Sequence, residues 1–244
     1  MPEWDIAIYD MLDSTQRLLK DRAEQGAPEG VVIQANAQQS GQGRHGNHWE
    51  SPPGNLYFSL LLRPSRAAHD GQWASLSYCA GLSLARTLEA YADKKADVTL
   101  KWPNDILINK NKVSGLLLDM QLRANRPDWV VIGIGINVHS SPEGATHVQA
   151  HSPDYVPINH LRDCFLQHFS TSYEEWLMHG LKPFYRQWLS YAPDLQGRIV
   201  ARTPNGEIAG AFVRLDTSGA LCLRDDAGAE RKITAGDIYH VCEV

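Results

Sequence analysis

Two segments combine glycines with positive charge at spacings that suit a phosphate-bearing ligand. The first is the glycine-rich run Gly41–Gly46, which carries a single arginine, Arg44. The second begins at Lys101 in Lys-Trp-Pro-Asn-Asp, and eleven residues later Lys112 opens Lys-Val-Ser-Gly. Backbone N–H groups exposed by glycines, together with a guanidinium and an ammonium group, suit a polyanion or a developing phosphate charge. The pattern predicts a site for phosphate chemistry if these segments meet.

The glycine run also matches the dinucleotide fingerprint G-x-G-x-x-G, which should open a helix. Here the chain continues from Asn47 into Ser51-Pro52-Pro53-Gly54, which cannot be helical, so a Rossmann site is excluded. A flexible surface loop and a loop that orders over an anionic ligand both stay open. The sequence contains no P-loop, H-E-x-x-H or G-x-S-x-G motif, and its ten histidines lack ligand spacing.

Three further features favour a nucleotide site. The segment Lys101–Asp105 brings an ammonium, an amide and a carboxylate together around a proline, although an ordinary turn is the alternative. Lys112 is followed at close range by Gly115, and a glycine within a strand allows a ligand or another backbone to approach. Gly133 and Gly135 alternate in an apolar strand, which suits either tight packing of a helix or a flat floor for a planar ring.

The elements that must position these segments follow from hydrophobic periodicity. Helices are predicted over 16–23, 72–92 and, as one or two helices, 157–190; strands over 31–35, 56–62, 98–102, 105–108, 112–122 and 129–138; and a polar loop over 37–54. Because hairpins rather than helices link the later strands, we predict an α+β fold with a mixed, largely antiparallel sheet. After Pro193, short strands over 197–201, 208–215, 219–223 and 230–233 predict a small β-barrel, giving domains 1–192 and 193–244.

Composition limits the class of protein. The 244 residues are 43% hydrophobic with a net charge of −5, which is ordinary for a globular protein and argues against DNA as the main partner. The four widely spaced cysteines predict buried free thiols in a reducing compartment. The first residues lack the pattern of a signal peptide, and no apolar run approaches the ~20 residues of a membrane span. We therefore expect a soluble, cytoplasmic protein.

Together, these segments resemble the biotin–protein ligases, also called biotin–[acetyl-CoA carboxylase] ligases. The family's glycine loop, usually Gly-Arg-Gly-Arg-x-Gly followed by Trp and Ser-Pro-x-Gly-Asn-Leu, corresponds to residues 41–56. Four further segments stand in the family's order and spacing: Asp13–Thr15, Lys101–Asp105, Lys112–Gly115 and Gly133–Asn137. The resemblance spans about residues 8–138, and the chain from Gly197 onward resembles the family's C-terminal SH3-like barrel.

The resemblance implies a class II synthetase-like biotin/lipoate ligase catalytic domain and two half-reactions. The carboxylate of biotin attacks the α-phosphorus of ATP, giving biotinyl-5′-AMP and pyrophosphate. A lysine of a biotin carboxyl carrier domain, part of a biotin-dependent carboxylase, then attacks the mixed anhydride. Mg²⁺ is expected with the triphosphate. The other expectations are no nucleic-acid or membrane partner, and a monomer or a weak homodimer.

The resemblance also implies roles for individual residues. Lys112 would bridge the biotin carboxylate and the α-phosphate, Arg44 would hold phosphate and seal the adenylate from water, and Asp105 would pair with Arg44 or help deprotonate the incoming lysine. The biotin-binding candidates are Ser14, Thr15, Gln16, Gln38, Gly41, Gln42, Gly43, Arg44, Lys112 and Gly115. The nucleotide-binding candidates are Arg44, Trp49, Lys101, Asn104 and Asn137. No metal ligand from the protein is expected.

Two departures from the family pattern fall in the loop. Gln42 replaces the usual first arginine and Asn47 replaces a further basic residue, which predicts weaker phosphate attraction and a leakier adenylate site. Only thirteen residues precede Ser14, so we expect a ligase without a DNA-binding module or repressor activity. The alternatives are an enzyme like the lipoate–protein ligases and a biotin-binding protein without catalysis.

Overall fold

A computed structural model describes residues 2–64, 73–123, 126–192, 197–203, 206–216, 218–234 and 236–240. The first sheet and its helices comprise β1 (Asp5–Tyr9), α1 (Thr15–Glu24), β2 (Val31–Ala35), β3 (Leu56–Leu62), α2 (Leu76–Tyr91), β4 (Val98–Lys101), β5 (Asp105–Ile108), β6 (Asn111–Arg123), β7 (Arg126–Ile136), α3 (Ile158–His179) and α4 (Lys182–Ser190). The second sheet comprises β8 (Arg198–Thr203), β9 (Gly206–Leu215), β10 (Leu221–Arg224), β11 (Glu230–Ile233) and β12 (Asp237–His240). Short 3₁₀ turns occur at Arg44–Gly46, Trp73–Ser75 and Val148–His151.

The larger sheet has seven strands in the order β1-β2-β3-β7-β6-β5-β4. Strand β1 pairs with β2 in parallel, and the other neighbouring strands pair in antiparallel. Hairpins connect β4 to β5, β5 to β6 and β6 to β7, as the absence of intervening helical patterns indicated. The predicted α+β class with a mixed, largely antiparallel sheet is confirmed.

Helices cover this sheet on both faces. Because successive side chains of a strand point to opposite faces, β3 packs Phe58 and Leu60 into the core with α2 and α3, and Leu61 into a smaller core with Leu19 of α1. On the α1 face, the residues next to Leu61 along the sheet are small: Ser59 pairs with Gly133. Missing side chains there leave a hollow beside the N-terminus of α1.

The second sheet has five antiparallel strands in the order β11-β10-β9-β8-β12, and it fits the predicted SH3-like domain. Ile199, Leu221 and Leu223 are fully buried in it. The predicted domain boundary at 192/193 adjoins residues 193–196, which lie outside the described residues. None of the helices in the described ranges is long and apolar enough to cross a membrane.

Several details differ from the sequence predictions. Strands β1 and β12 were not predicted, and the region 157–190 forms two helices separated at Gly180, which has a positive φ of 63°. The helix predicted over 72–92 begins at Leu76, and the strand predicted over 129–138 runs from Arg126 to Ile136. Cys79 and Cys222 are buried as expected, whereas Cys164 is half-buried and Cys242 lies outside the described residues.

Candidate functional site

One cavity on the α1 face of the larger sheet brings most of the predicted site residues together. Its volume is about 160 Å³. Its walls contain eleven of the candidates: Thr15, Gln16, Gln38, Gln42, Gly43, Arg44, Trp49, Asn104, Asp105, Lys112 and Gly115. The structure therefore brings the separate sequence segments together around one cavity.

Four other candidates lie outside the lining of this cavity. The hydroxyl of Ser14 caps α1 by accepting a hydrogen bond from the backbone N–H of Arg17, at 3.4 Å. The carbonyl of Gly41 accepts a hydrogen bond from the backbone N–H of Trp49 at 2.9 Å. Lys101 is the last residue of β4, and Asn137 lines a neighbouring hollow. Their predicted ligand contacts stay predictions.

A chain of buried and half-buried polar groups forms one end of the cavity. The backbone N–H of Thr15 donates to Oε1 of Gln38 at 2.8 Å, and the hydroxyls of Thr15 and Ser59 lie 2.9 Å apart. Ser59 donates to Oε1 of Gln16 at 3.0 Å, and Nε2 of Gln16 donates to Oδ2 of Asp119 at 3.1 Å. Side chains bonded in this way cannot rotate without breaking hydrogen bonds, so they form a fixed polar surface.

Sequence reasoning missed Ser59 and Asp119. Ser59 lies in an apolar strand and Asp119 in the long strand β6, and neither belongs to a motif. The signal that identifies them is the register, which places Ser59 opposite Gly133 and Asp119 opposite Val131. That register is a long-range property that no local pattern carries.

The alternating glycines make the floor of the site. A Cβ atom on Gly133 would lie 2.5 Å from Oε1 of Gln16, and one on Gly135 would lie 2.6 Å from the indole of Trp49. Each alternative therefore holds at one of the two glycines: Gly133 makes room for Gln16 of helix α1, and Gly135 makes room for the planar ring of Trp49. The indole N–H of Trp49 is buried and has no hydrogen-bond partner in the described part of the chain.

The other end of the cavity holds the two cations. Nζ of Lys112 lies 2.7 Å from Oδ1 of Asp105 and 5.2 Å from the ring centroid of Trp49. The guanidinium of Arg44 donates to Oδ1 of Asn104 at 3.5 Å and to the carbonyl of Gly236 at 3.2 Å. The side chains of Lys112 and Asp105 are 38% and 23% exposed, so water still reaches this pair.

Lys112 and Asp105 come together because of sheet pairing. In the hairpin of β5 and β6, Asp105 pairs with Gly115, and a register shift next to Ile106 brings Lys112 opposite Leu107. Asp105 was expected either to pair with Arg44 or to help deprotonate the incoming lysine; in the structure its carboxylate forms an ion pair with Lys112, and the proton-transfer role stays a prediction. A carboxylate at this distance lowers the freedom of the ammonium group and fixes its direction.

The glycine loop has a defined backbone. Its 3₁₀ turn at Arg44–Gly46 is closed by the N–H of Asn47, which donates to the carbonyl of Arg44 at 3.0 Å, and the N–H of Gly43 donates to the carbonyl of Asn47 at 2.7 Å. Gln42 is exposed and pairs through its backbone with His48. The loop is therefore held at this position by backbone contacts, and the side chain of Gln42, which replaces the family's arginine, is not needed for the local fold. Among the described residues, no group of three His, Cys, Asp or Glu side chains is arranged to hold a metal ion.

Residues 8–137 match the model of the Biotin/lipoate A/B protein ligase family, which is more than half of the chain. The chain belongs to this family. Residues 197–241 match the Biotin protein ligase C terminal domain. The two matches coincide with the two sheets, and the family membership makes the chain a ligase enzyme.

Individual members of the family are similar over nearly the whole chain. The Bifunctional ligase/repressor BirA of Bacillus subtilis is 34% identical over 96% of this chain and 73% of its own length. The Biotin–[acetyl-CoA-carboxylase] ligase of Paracoccus denitrificans is 35% identical over 85% of this chain and 89% of its own. The biotin protein ligase from Aquifex aeolicus, solved in complex with biotin and ATP, superposes with a TM-score of 0.80 at 28% identity, covering 96% of this chain and 97% of that one.

Proposed function

We propose that this protein activates biotin with ATP as biotinyl-5′-AMP and transfers the biotinyl group to a lysine of a biotin carboxyl carrier domain. The observation that carries the proposal is the cavity itself, in which a fixed polar surface at one end faces Lys112 and Arg44 at the other. The relative from Paracoccus denitrificans is named for biotin and a carboxylase, and the Aquifex aeolicus structure contains biotin and ATP. Both names support the assignment of biotin, ATP and a carboxylase carrier as substrates.

The polar end suits the ring system of biotin. A ureido group offers two N–H donors and one carbonyl acceptor, and the side chains of Thr15, Gln38 and Ser59 offer hydroxyl and amide partners at fixed positions. Between the ureido group and the carboxylate the ligand is apolar, and Ile134 and Leu116 also line the cavity. A small, mostly fixed pocket of this kind gives specificity because a wrong ligand leaves buried polar groups unpaired.

The cationic end suits the first half-reaction. A carboxylate and a triphosphate repel each other, so the reaction needs positive charge that is already in place when the anions meet. Lys112, directed by Asp105, would lie between the biotin carboxylate and the α-phosphate, and Arg44 would cover the phosphate from the loop. Both cations lower the barrier mainly by alignment and by neutralising charge that builds up on the phosphoryl oxygens.

Magnesium belongs to this proposal as the companion of the triphosphate. Mg²⁺ usually keeps several waters and binds through substrate phosphates, which agrees with the expectation that the protein supplies no metal ligand of its own. The ion would supply charge neutralisation on the phosphates.

Replacing Asp105 with asparagine tests the ion pair. We expect Asp105→Asn to lower the rate of adenylate formation by about tenfold, because Lys112 loses the carboxylate that directs it. The rate of biotin transfer to the carrier domain should also fall if Asp105 accepts a proton from the acceptor lysine. Single-turnover measurement of each half-reaction separates the two roles, and full rates in both would exclude Asp105 from the chemistry.

Replacing Gly133 with alanine tests whether biotin binds above the glycine floor at the polar end of the cavity. A Cβ on Gly133 would lie 2.5 Å from Oε1 of Gln16 and 3.4 Å from Oγ of Ser59, so Gly133→Ala must displace the polar chain. We expect the KM for biotin to rise about tenfold while the KM for ATP changes less than about twofold. Gly81→Ala in α2 is the control, since its Cβ would meet nothing nearer than 3.7 Å. An unchanged KM for biotin would place the ligand elsewhere.

The proposed function is tested by biotin-dependent exchange of pyrophosphate into ATP, with lipoate and octanoate as competing acids. Exchange with biotin alone supports the proposal. Exchange with lipoate instead would assign the lipoate branch of the same family. No exchange with any acid would leave the alternative of a biotin-binding protein without catalysis.

The relatives from Bacillus are named as both ligase and repressor. For this protein we propose ligase activity without DNA binding, supported by the net charge of −5. Retardation of biotin-operon operator DNA in the presence of biotin and ATP would contradict this. The cytoplasmic location and the monomer or weak homodimer expected from the sequence stay predictions.

A further inference from the structure

The two domains are joined by the hydroxyl of a buried tyrosine. Tyr78 of α2 is 3% exposed, and its hydroxyl accepts the indole N–H of Trp102 at 2.9 Å while donating to the carbonyl of Gly219 in the C-terminal domain. A tyrosine hydroxyl has a single proton to donate, so both of its main bonding directions are committed here. Burial raises the pKa of Tyr78, which keeps that proton in place. One side chain thus connects a helix, the Lys101–Asp105 segment and the second domain.

The turn that presents the carbonyl of Gly219 is rigid. Gly219 has a positive φ of 84°, and a Cβ there would lie 2.3 Å from the tyrosine ring, so only glycine fits. Oδ1 of Asp216 accepts the backbone N–H groups of Ser218 and Ala220 at 2.8 and 3.0 Å, and Lys232 forms an ion pair with the same carboxylate. Burial alone would raise the pKa of Asp216, but these bonds outweigh it and lower the pKa to about 2.

The same connection continues to Arg44. Trp102 is 2% exposed, and two residues later Asn104 bonds to the carbonyl of Leu116 and accepts the guanidinium of Arg44 at 3.5 Å. From the other domain, the carbonyl of Gly236 accepts the same guanidinium at 3.2 Å. The orientation of Arg44 therefore depends on how the C-terminal domain sits against the turn that follows Trp102.

The two domains also enclose an apolar cavity of about 370 Å³ around this connection. Tyr78, Trp102 and Arg44 line it from one side, and Gly219 and Thr234 line it from the other. One buried hydrophobic cluster joins the two domains, but it is incompletely packed at this cavity, so the directional bonds of Tyr78 add to the packing in fixing the domains here.

We propose that Tyr78 is a positioning residue for the nucleotide end of the site. It fixes the C-terminal domain against the Lys101–Asp105 segment and so holds the carbonyl of Gly236 where it orients Arg44. The biotin end is held separately, by α1 and β3. The effect on ATP binding rests on the proposed function. The claim that Tyr78 holds the two domains together does not depend on that function.

The test compares Tyr78→Phe with Tyr173→Phe. Tyr173 is also buried and its hydroxyl donates to Glu29 at 2.7 Å, but it lies in α3 within the helical layer. Tyr78→Phe loses two hydrogen bonds of a buried hydroxyl and Tyr173→Phe loses one, so both variants should lower the melting temperature, Tyr78→Phe by more. In biotin-dependent pyrophosphate exchange, Tyr78→Phe should raise the KM for ATP about fivefold and change the KM for biotin less than about twofold, whereas Tyr173→Phe should change neither.

Three outcomes would overturn the proposal. Tyr78→Phe could leave the KM for ATP unchanged, raise both KM values equally, or match Tyr173→Phe in every ligand measurement. If no acid supports exchange, the ligase proposal fails, and calorimetric titration with ATP and with biotin replaces the KM values.

Hydrogen–deuterium exchange without ligands tests the structural part under either outcome. The segments around Gly219 and around Trp102 should exchange faster in Tyr78→Phe than in Tyr173→Phe. Equal protection in the two variants would show that the tyrosine does not hold the domains together.

Discussion

Lys112→Ala is expected to reduce biotin-dependent exchange of pyrophosphate into ATP by about a thousandfold, or about 4 kcal/mol in the barrier. The ammonium group of Lys112 lies at the cationic end of the cavity, 2.7 Å from Asp105. Its removal takes away the charge that would neutralise the carboxylate and the α-phosphate, and it leaves the negative charge of Asp105 unopposed in the same place. The two changes act in the same direction, which is why the effect should exceed that of losing Asp105.

The control for this variant is Lys110→Ala. Lys110 is exposed, lies two residues earlier in the hairpin that leads into β6, and loses the same charge on substitution. It should exchange at the unaltered rate and unfold at nearly the same temperature. Lys112→Ala should also stay folded, because a partly exposed ion pair contributes little to stability. A rate for Lys112→Ala within tenfold of the unaltered protein would remove this lysine from the adenylation step.

Most residues that line the cavity could be picked out from the sequence because their segments carry chemistry locally. A role in binding phosphate is indicated locally by glycines next to an arginine, and by a lysine and a carboxylate on either side of a proline. Recognising these patterns does not require the three-dimensional structure. The polar chain was only half predicted. Thr15, Gln16 and Gln38 come from motifs, whereas Ser59 and Asp119 become recognisable only when the register of β3, β6 and β7 sets them on the α1 face.

Strands β1 and β12 lack a local signal in the sequence for the same physical reason. Strand β1 has polar residues at Asp5 and Tyr9, which weakens its hydrophobic pattern. It pairs in parallel with β2, so no hairpin turn marks it in the sequence. Strand β12 pairs with β8 at the opposite end of the domain sequence. The contact of Tyr78 with the second domain could not be predicted either, because in the sequence Tyr78 is one of many residues on a buried helix. Each of these features depends on a contact between distant parts of the chain.

Arg44→Ala is the second variant with a large expected effect, on retention of the adenylate rather than on its formation. Arg44 is the single arginine of the 41–54 loop, since Gln42 replaces the other arginine of the family pattern. It is also the residue that links the loop to Asn104 and Gly236. Without it, the loop loses its connection across the cavity, and we expect biotinyl-5′-AMP to escape about thirtyfold faster, or about 2 kcal/mol.

Escape is measured as biotin-dependent release of the adenylate in the absence of any carrier domain. Arg44→Lys keeps the charge but loses the planar fork that reaches two acceptors at once, so its escape rate should lie between those of the unaltered protein and Arg44→Ala. Arg198→Ala is the control, because Arg198 is an exposed arginine of the second domain that pairs with Asp226. If Arg44→Lys retains the adenylate fully, charge alone seals the site. If Arg44→Ala retains it as well, the loop is held by its backbone, and the arginine acts only on phosphate before the adenylate forms.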